Sequence, residues 1–187
     1  MRILRQSGFR VMPWKNGGGT MTDIIASPEG ASLDTFDWRV SMARVVRDGP
    51  FSVFPGIDRS LTILEGEGMV LDIAGHGETL LTDQSLPFAF PGDAVTYSRL
   101  HAGPILDLNV MTRRGICRST VTRHHTASPL LCDPLDATLL VLLRGAKGAL
   151  GQERLEDGDA VLLNGTDPAV TLIPDSSALV FCMSIKP

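Results

Sequence analysis

Apolar residues fall in short bursts along this chain, and most bursts end at Gly, Asp or Pro before a helix could complete. Runs rich in Val, Ile, Leu, Thr and Phe, bounded by turn formers, mark β-strands. They predict strands over residues 38–45, 61–65, 68–73, 86–90, 94–99, 105–111, 138–143, 160–164, 169–173 and 179–185. No long segment repeats its apolar residues at helical spacing, so the pattern predicts an all-β protein, a sandwich or barrel. Two strands alternate polar with apolar. Along 38–45, Arg39, Ser41 and Ala43 share one face, with Trp38, Val40 and Met42 on the other. Along 105–113, Asp107, Asn109, Met111 and Arg113 oppose Leu106, Leu108 and Val110. Asp and Asn are poor strand formers, so Asp107 and Asn109 are expected to face the interior, where they have a task.

The same order of features is written twice. Leu61-Thr62-Ile63-Leu64-Glu65-Gly66 matches Leu140-Val141-Leu142-Leu143-Arg144-Gly145, an apolar strand stopped by a charged residue and a glycine. Pro91-Gly92-Asp93-Ala94 matches Asp157-Gly158-Asp159-Ala160, each a turn feeding another strand, and each half closes on an apolar strand. A strand, a Gly turn, a hairpin, a Gly-Asp turn and a closing strand follow the order of a jelly-roll unit, which points to a duplication. Residues 1–113 are expected to form the first unit and to hold the ligand pocket. Residues 114–137 read as an irregular connector, and 138–187 as a shorter, structural second unit, the whole making one compact domain.

With 187 residues, 43% of them apolar and 20% charged, the chain has enough material for a substantial core. A net charge of −4 with scattered basic residues argues against nucleic acid or an anionic membrane as partner. Cys117, Cys132 and Cys182 form no CxxC pair and leave one thiol over under any disulfide scheme, which favours a reducing compartment. The N-terminus lacks the apolar run of a signal peptide and no stretch is long enough to span a bilayer, so a cytoplasmic protein is expected. Exposed sheet edges in such folds also leave room for a homodimer.

The candidate chemistry gathers between Trp14 and Arg59. Trp14-Lys15-Asn16-Gly17-Gly18-Gly19-Thr20 combines an indole, an amide and a hydroxyl with a backbone free to pass close to a ligand or strand. Gly49-Pro50-Phe51-Ser52-Val53-Phe54-Pro55-Gly56-Ile57-Asp58-Arg59 is the second unusual segment. With Trp38-Arg39-Val40-Ser41-Met42-Ala43, Phe90-Pro91-Gly92-Asp93 and Gly103-Pro104-Ile105-Leu106-Asp107-Leu108-Asn109-Val110-Met111-Thr112-Arg113, these residues resemble the HutD/Ves family of cupin-like proteins. The resemblance implies a bicupin, two RmlC-like jelly-roll units packed together, and an association with histidine utilisation.

Many cupins hold a metal through a His-x-His pair, a Glu and a further His. Here His76 and His101 fall in turns, His124 and His125 are adjacent in the connector, and Gly56-Ile57-Asp58-Arg59 stands where the His pair would be. No metal and no other cofactor is expected. The groups expected at the mouth of the first barrel for ligand binding are Trp14, Asn16, Thr20, Arg39, Ser41, Arg59, Asn109 and Arg113. Arg39 and Arg59 offer planar charged forks for a carboxylate, or else ion pairs with Asp58, Asp93 or Asp107. Recognition of a small anionic metabolite follows, for which the family resemblance suggests urocanate or formiminoglutamate. An alternative is a metal-free hydrolase, lyase or isomerase with Asp58 or Asp107 as general base, and the sequence leaves open whether the chain is an enzyme.

Overall fold

The computed structural model describes residues 1–14 and 17–187, and nearly all of their regular structure is strand. In chain order come β1 (Arg2–Leu4), β2 (Arg10–Pro13), β3 (Gly19–Ser27), β4 (Trp38–Val45), β5 (Gly49–Pro50), β6 (Ile57–Glu65), β7 (Met69–Ile73), β8 (Gly77–Leu81), β9 (Phe88–Pro91), β10 (Thr96–Leu100) and β11 (Ile105–Arg113). There follow β12 (Arg118–Thr126), β13 (Leu130–Cys132), β14 (Thr138–Arg144), β15 (Gly148–Leu150), β16 (Glu153–Leu155), β17 (Ala160–Leu163), β18 (Val170–Pro174) and β19 (Ala178–Lys186). Among the described residues no helix is long and apolar enough to cross a membrane.

Two compact units result, one continuous over residues 10–118, the other built from residues 1–9 and 119–187. In the continuous unit a six-stranded sheet runs β2-β3-β4-β11-β6-β9 and a four-stranded sheet runs β5-β10-β7-β8. Val45, Leu61, Ile63, Phe90 and Ile105 from the first sheet meet Met69, Leu71, Ile73 and Leu81 from the second in one core. Alternation makes this possible, since every second residue of each strand turns inward. Burying each large aliphatic side chain is worth about 1.5–3 kcal/mol.

The discontinuous unit repeats the plan, with a five-stranded sheet β1-β17-β14-β19-β12 and a four-stranded sheet β13-β18-β15-β16. Leu139, Val141, Leu143, Val161, Leu163 and Val180 pack there with Leu150, Leu155 and Leu172. The order β9-β6-β11-β4 in one unit answers β17-β14-β19-β12 in the other, and the smaller sheets correspond strand for strand. Even the stops agree: Gly66 follows β6 and Gly145 follows β14, with φ of 93° and 81°. The chain is an all-β bicupin.

Residues 114–137, expected as an irregular connector, carry two strands instead. β12 is the edge strand of its sheet and mostly polar, with little apolar alternation to read, whereas β13 is short and pairs with β18. β2 and β3 also escape the pattern. The ladder of β3 with β4 shifts register between Asp23 and Ile25, and that bulge breaks the period of two.

Candidate functional site

Along the inward face of the six-stranded sheet, apolar residues give way to polar ones. β11 lies between β4 and β6, and its register sets three successive rows. Asp107 stands between Ala43 and Ile63, Asn109 between Ser41 and Leu61, and Met111 between Arg39 and Arg59. Neighbouring strands lie ~4.8 Å apart, so the two arginines share one face with a single strand between them. A cavity of about 660 Å³ opens over these rows. Its other walls include Met12, Trp14, Met21 and Asp23 from the β2–β3 side, Leu33, and Phe51 and Phe54 from the segment after β5.

Arg59 is 7% exposed and makes no ion pair within bonding distance among the described residues. Its Nε and Nη2 donate to Asn109 Oδ1 at 3.2 and 3.1 Å. Three rings enclose the guanidinium, with Cζ 4.9 Å from the centroid of Phe51, 5.1 Å from Phe90 and 5.7 Å from Phe54. A desolvated cation–π contact is worth about 2 kcal/mol, which offsets part of the cost of burying the charge. Burial nonetheless draws the guanidinium down to about 10, against the support of the Asp107 charge. Gly92 makes room for the side chain: a Cβ there would lie 3.2 Å from Arg59 Cγ and Cδ and 2.8 Å from the carbonyl oxygen of Ile57.

Asn109 relays the contact onward, donating from Nδ2 to Asp107 Oδ1 at 3.4 Å. Asp107 is 1% exposed, and its Oδ2 has no hydrogen-bond partner among the described residues. Burial pushes its carboxyl up to about 7, against the pull of Arg59 and Asn109. The ladder between β6 and β11 shifts register between Leu106 and Asp107, so both cavity aspartates, Asp23 and Asp107, sit at bulges that re-aim side chains.

Arg39 has a different environment. It is 4% exposed, and its Nε donates to Asp23 Oδ1 at 2.7 Å, while its Nη2 reaches the same oxygen and lies 3.6 Å from Met21 Sδ. Of the two guanidinium groups that flank Met111, Arg39 is thus neutralised by a carboxylate, whereas Arg59 rests on an amide and three rings.

Arg39, Ser41, Arg59, Asn109 and Trp14 all line the cavity, as does Asp107. Asn16 lies outside the described residues. Thr20 is on β3, one residue out of phase with Met21 and Asp23, opposite Pro13 and Arg44, and is not in the cavity wall. Arg113 does not line it either: it lies over the Phe36 ring and donates to the backbone carbonyls of Phe36 and Asp34, both at 3.0 Å. It anchors the segment that brings Leu33 to the cavity. Asp58 turns outward and is exposed, held by Arg114, which also bonds Asp93 at 3.0 Å. Asp58→Ala is therefore expected to leave ligand affinity unchanged in a calorimetric titration; a loss would require it to reach the cavity.

Sequence reasoning did not find Asp23, Met12, Met21 or the role of Phe51 and Phe54. The two phenylalanines stand in a segment already conspicuous for its prolines and glycines, which was the available signal. Gly19 allows close approach to a strand, since a Cβ would lie 2.1 Å from the Arg44 carbonyl oxygen. A cupin metal does not fit the cavity. Its polar lining is three arginines, two aspartates, an asparagine and serines, with no histidine among the described residues, and a cation would meet guanidinium groups.

The HutD family model matches residues 6–181. Over 114 residues the chain is 40% identical to an uncharacterized 21.2 kDa protein in the hutC 3' region of Pseudomonas putida, covering 59% of this chain and 57% of that protein. It is 41% identical over 118 residues to the protein Ves of Citrobacter koseri, 60% of each chain. The matches thus span less than two thirds of these relatives' length. The crystal structure of a conserved protein of unknown function from Pseudomonas aeruginosa PAO1 is similar throughout, with a TM-score of 0.89, 30% identity, and 100% of this chain and 98% of that one covered.

Proposed function

The chain belongs to the HutD family, and from that premise we propose that its cavity binds a small anionic intermediate of histidine catabolism, urocanate or formiminoglutamate, without a metal. The family and fold make it a cupin associated with histidine utilisation. The observation that carries the binding reading is Arg59, a buried guanidinium in the cavity with no carboxylate bonded to it. A ligand carboxylate would complete it through charge-assisted hydrogen bonds. Ser41 and Asn109 flank the same rows and are placed to orient further polar groups, while Trp14 and the methionines offer an apolar wall. Such a site suits a sensor or buffer of the intermediate.

Asp107 supports a second reading. A buried carboxyl near 7 with one oxygen unengaged is a serviceable general base, and the cavity would then belong to a small hydrolase, lyase or isomerase. A thermal-shift screen against urocanate and formiminoglutamate separates the two, with each hit then followed by NMR. A ligand at 100 times its dissociation constant is expected to add about 2.7 kcal/mol of stability. A stabilising compound that persists supports the sensor, one that is consumed supports the enzyme, and no shift with either removes both.

A further inference from the structure

Building on the anion-binding reading of the cavity, we infer that the anion enters together with one proton, which comes to rest on Asp107 Oδ2. The hydrogen bonds fix the geometry. Arg59 can only donate, so Asn109 presents its amide oxygen to it and turns Nδ2 to Asp107 Oδ1. Oδ2 is left as the unengaged end of a buried carboxyl, flanked across the strands by Ala43 and Ile63, which offer no donor. A bare carboxylate oxygen there has nothing to accept, whereas a carboxylic O–H has an acceptor as soon as an anion is present.

The charges around it lead to the same place. Arg59 comes from β6, Arg39 from β4, Asp23 from β3 and Arg10 from the start of β2; the wall segments at residues 31–33 and 50–54 bring no charge. Arg39 is held by Asp23, so Arg59 is the cation that sustains ionised Asp107. A ligand carboxylate on Arg59 takes over that support and adds a like charge, and two carboxyl groups in one desolvated site share a proton. The proton comes from solvent and forms the O–H of Asp107; no other covalent bond changes. Without the anion the carboxyl already titrates at about 7, so uptake falls at neutral and mildly alkaline pH.

The test uses urocanate and trans-cinnamate, which keeps the propenoate carboxylate and lacks ring nitrogen. Calorimetry at pH ~8 in two buffers of different ionisation heat is expected to show close to one proton taken up per anion. Affinity should fall by about tenfold per pH unit above ~7. Asp107→Asn, neutral at every pH, is expected to give a flat profile. Binding that requires Arg59 but is flat with pH in the wild type overturns the proton and leaves the anion site standing. Affinity that rises with pH also overturns it, because Asp107 would then serve as an ionised acceptor for a ligand N–H. Failure of both anions to bind overturns the site reading as well. Should Asp107→Asn not fold, the two-buffer measurement on the wild type decides alone.

Discussion

Arg59→Ala is expected to weaken binding of the proposed anion by about 1.5–3 kcal/mol, roughly ten- to over a hundredfold in Kd, while the bicupin stays folded. The guanidinium touches the cavity through two N–H bonds to Asn109 and the faces of Phe51, Phe54 and Phe90. Alanine removes the one cation of the row that no carboxylate engages, since Arg39 across Met111 is committed to Asp23. It also withdraws the charge that sustains ionised Asp107, so that carboxyl should titrate higher still. Arg59→Lys keeps the charge but not the planar fork, and should fall between the two. Calorimetric titration beside near-ultraviolet circular dichroism checks this, and an unchanged Kd in a folded variant would take Arg59 out of the site.

The largest stability loss outside the apolar cores is expected at Asp159. Its carboxylate accepts the Gln6 backbone N–H at 2.9 Å, the Glu156 N–H at 3.0 Å and Arg5 Nη1 at 2.8 Å, and the residue is 2% exposed. Asp159→Ala strands two backbone donors and releases the arginine that follows β1, at a cost of about 2–4 kcal/mol. Burial opposes ionisation of this group, but the bonds from Gln6, Glu156 and Arg5 outweigh it and hold the carboxyl below the ordinary aspartate range. A depressed folded-state value means that the contribution is complete above the unfolded value of ~3.9 and is lost as pH falls through the folded one. Denaturant unfolding should therefore show a wild-type advantage over Asp159→Ala at neutral pH that shrinks under acid. A constant difference across that range would assign the loss to packing instead.

Much of the fold was legible because its strands obey a period of two and its turns carry Gly and Asp. The repeated Leu61–Gly66 and Leu140–Gly145 segments became equivalent strands in equivalent sheets. What hid was irregular or polar: β3 behind its bulge at Asp23, and β12 among the threonines, histidines and arginines of a sheet edge. In the site, parity along one strand placed Arg39, Ser41, Asp107 and Asn109 correctly on inward faces, because parity is local. Parity could not reveal that β4 and β6 flank β11, which alone brings Arg39 and Arg59 to one surface. Arg113 shares the inward face of Asn109, yet at the strand end its side chain finds the carbonyls of Asp34 and Phe36. Thr20 and Asp58 were read from motif context, and each points away from the cavity.

The joining of β1 to β17 has a consequence for biosynthesis. Residues 10–118 form a continuous unit that holds every partner of its own sheets and can fold as it leaves the ribosome. The first strand has no such option. Arg2, Ile3 and Leu4 pair with Leu162, Val161 and Ala160, more than 150 residues further along the chain, so β1 must stay unpaired until those residues have been made. The cavity-bearing unit thus has all its sheet partners while the ribosome is still completing the strand that β1 pairs with.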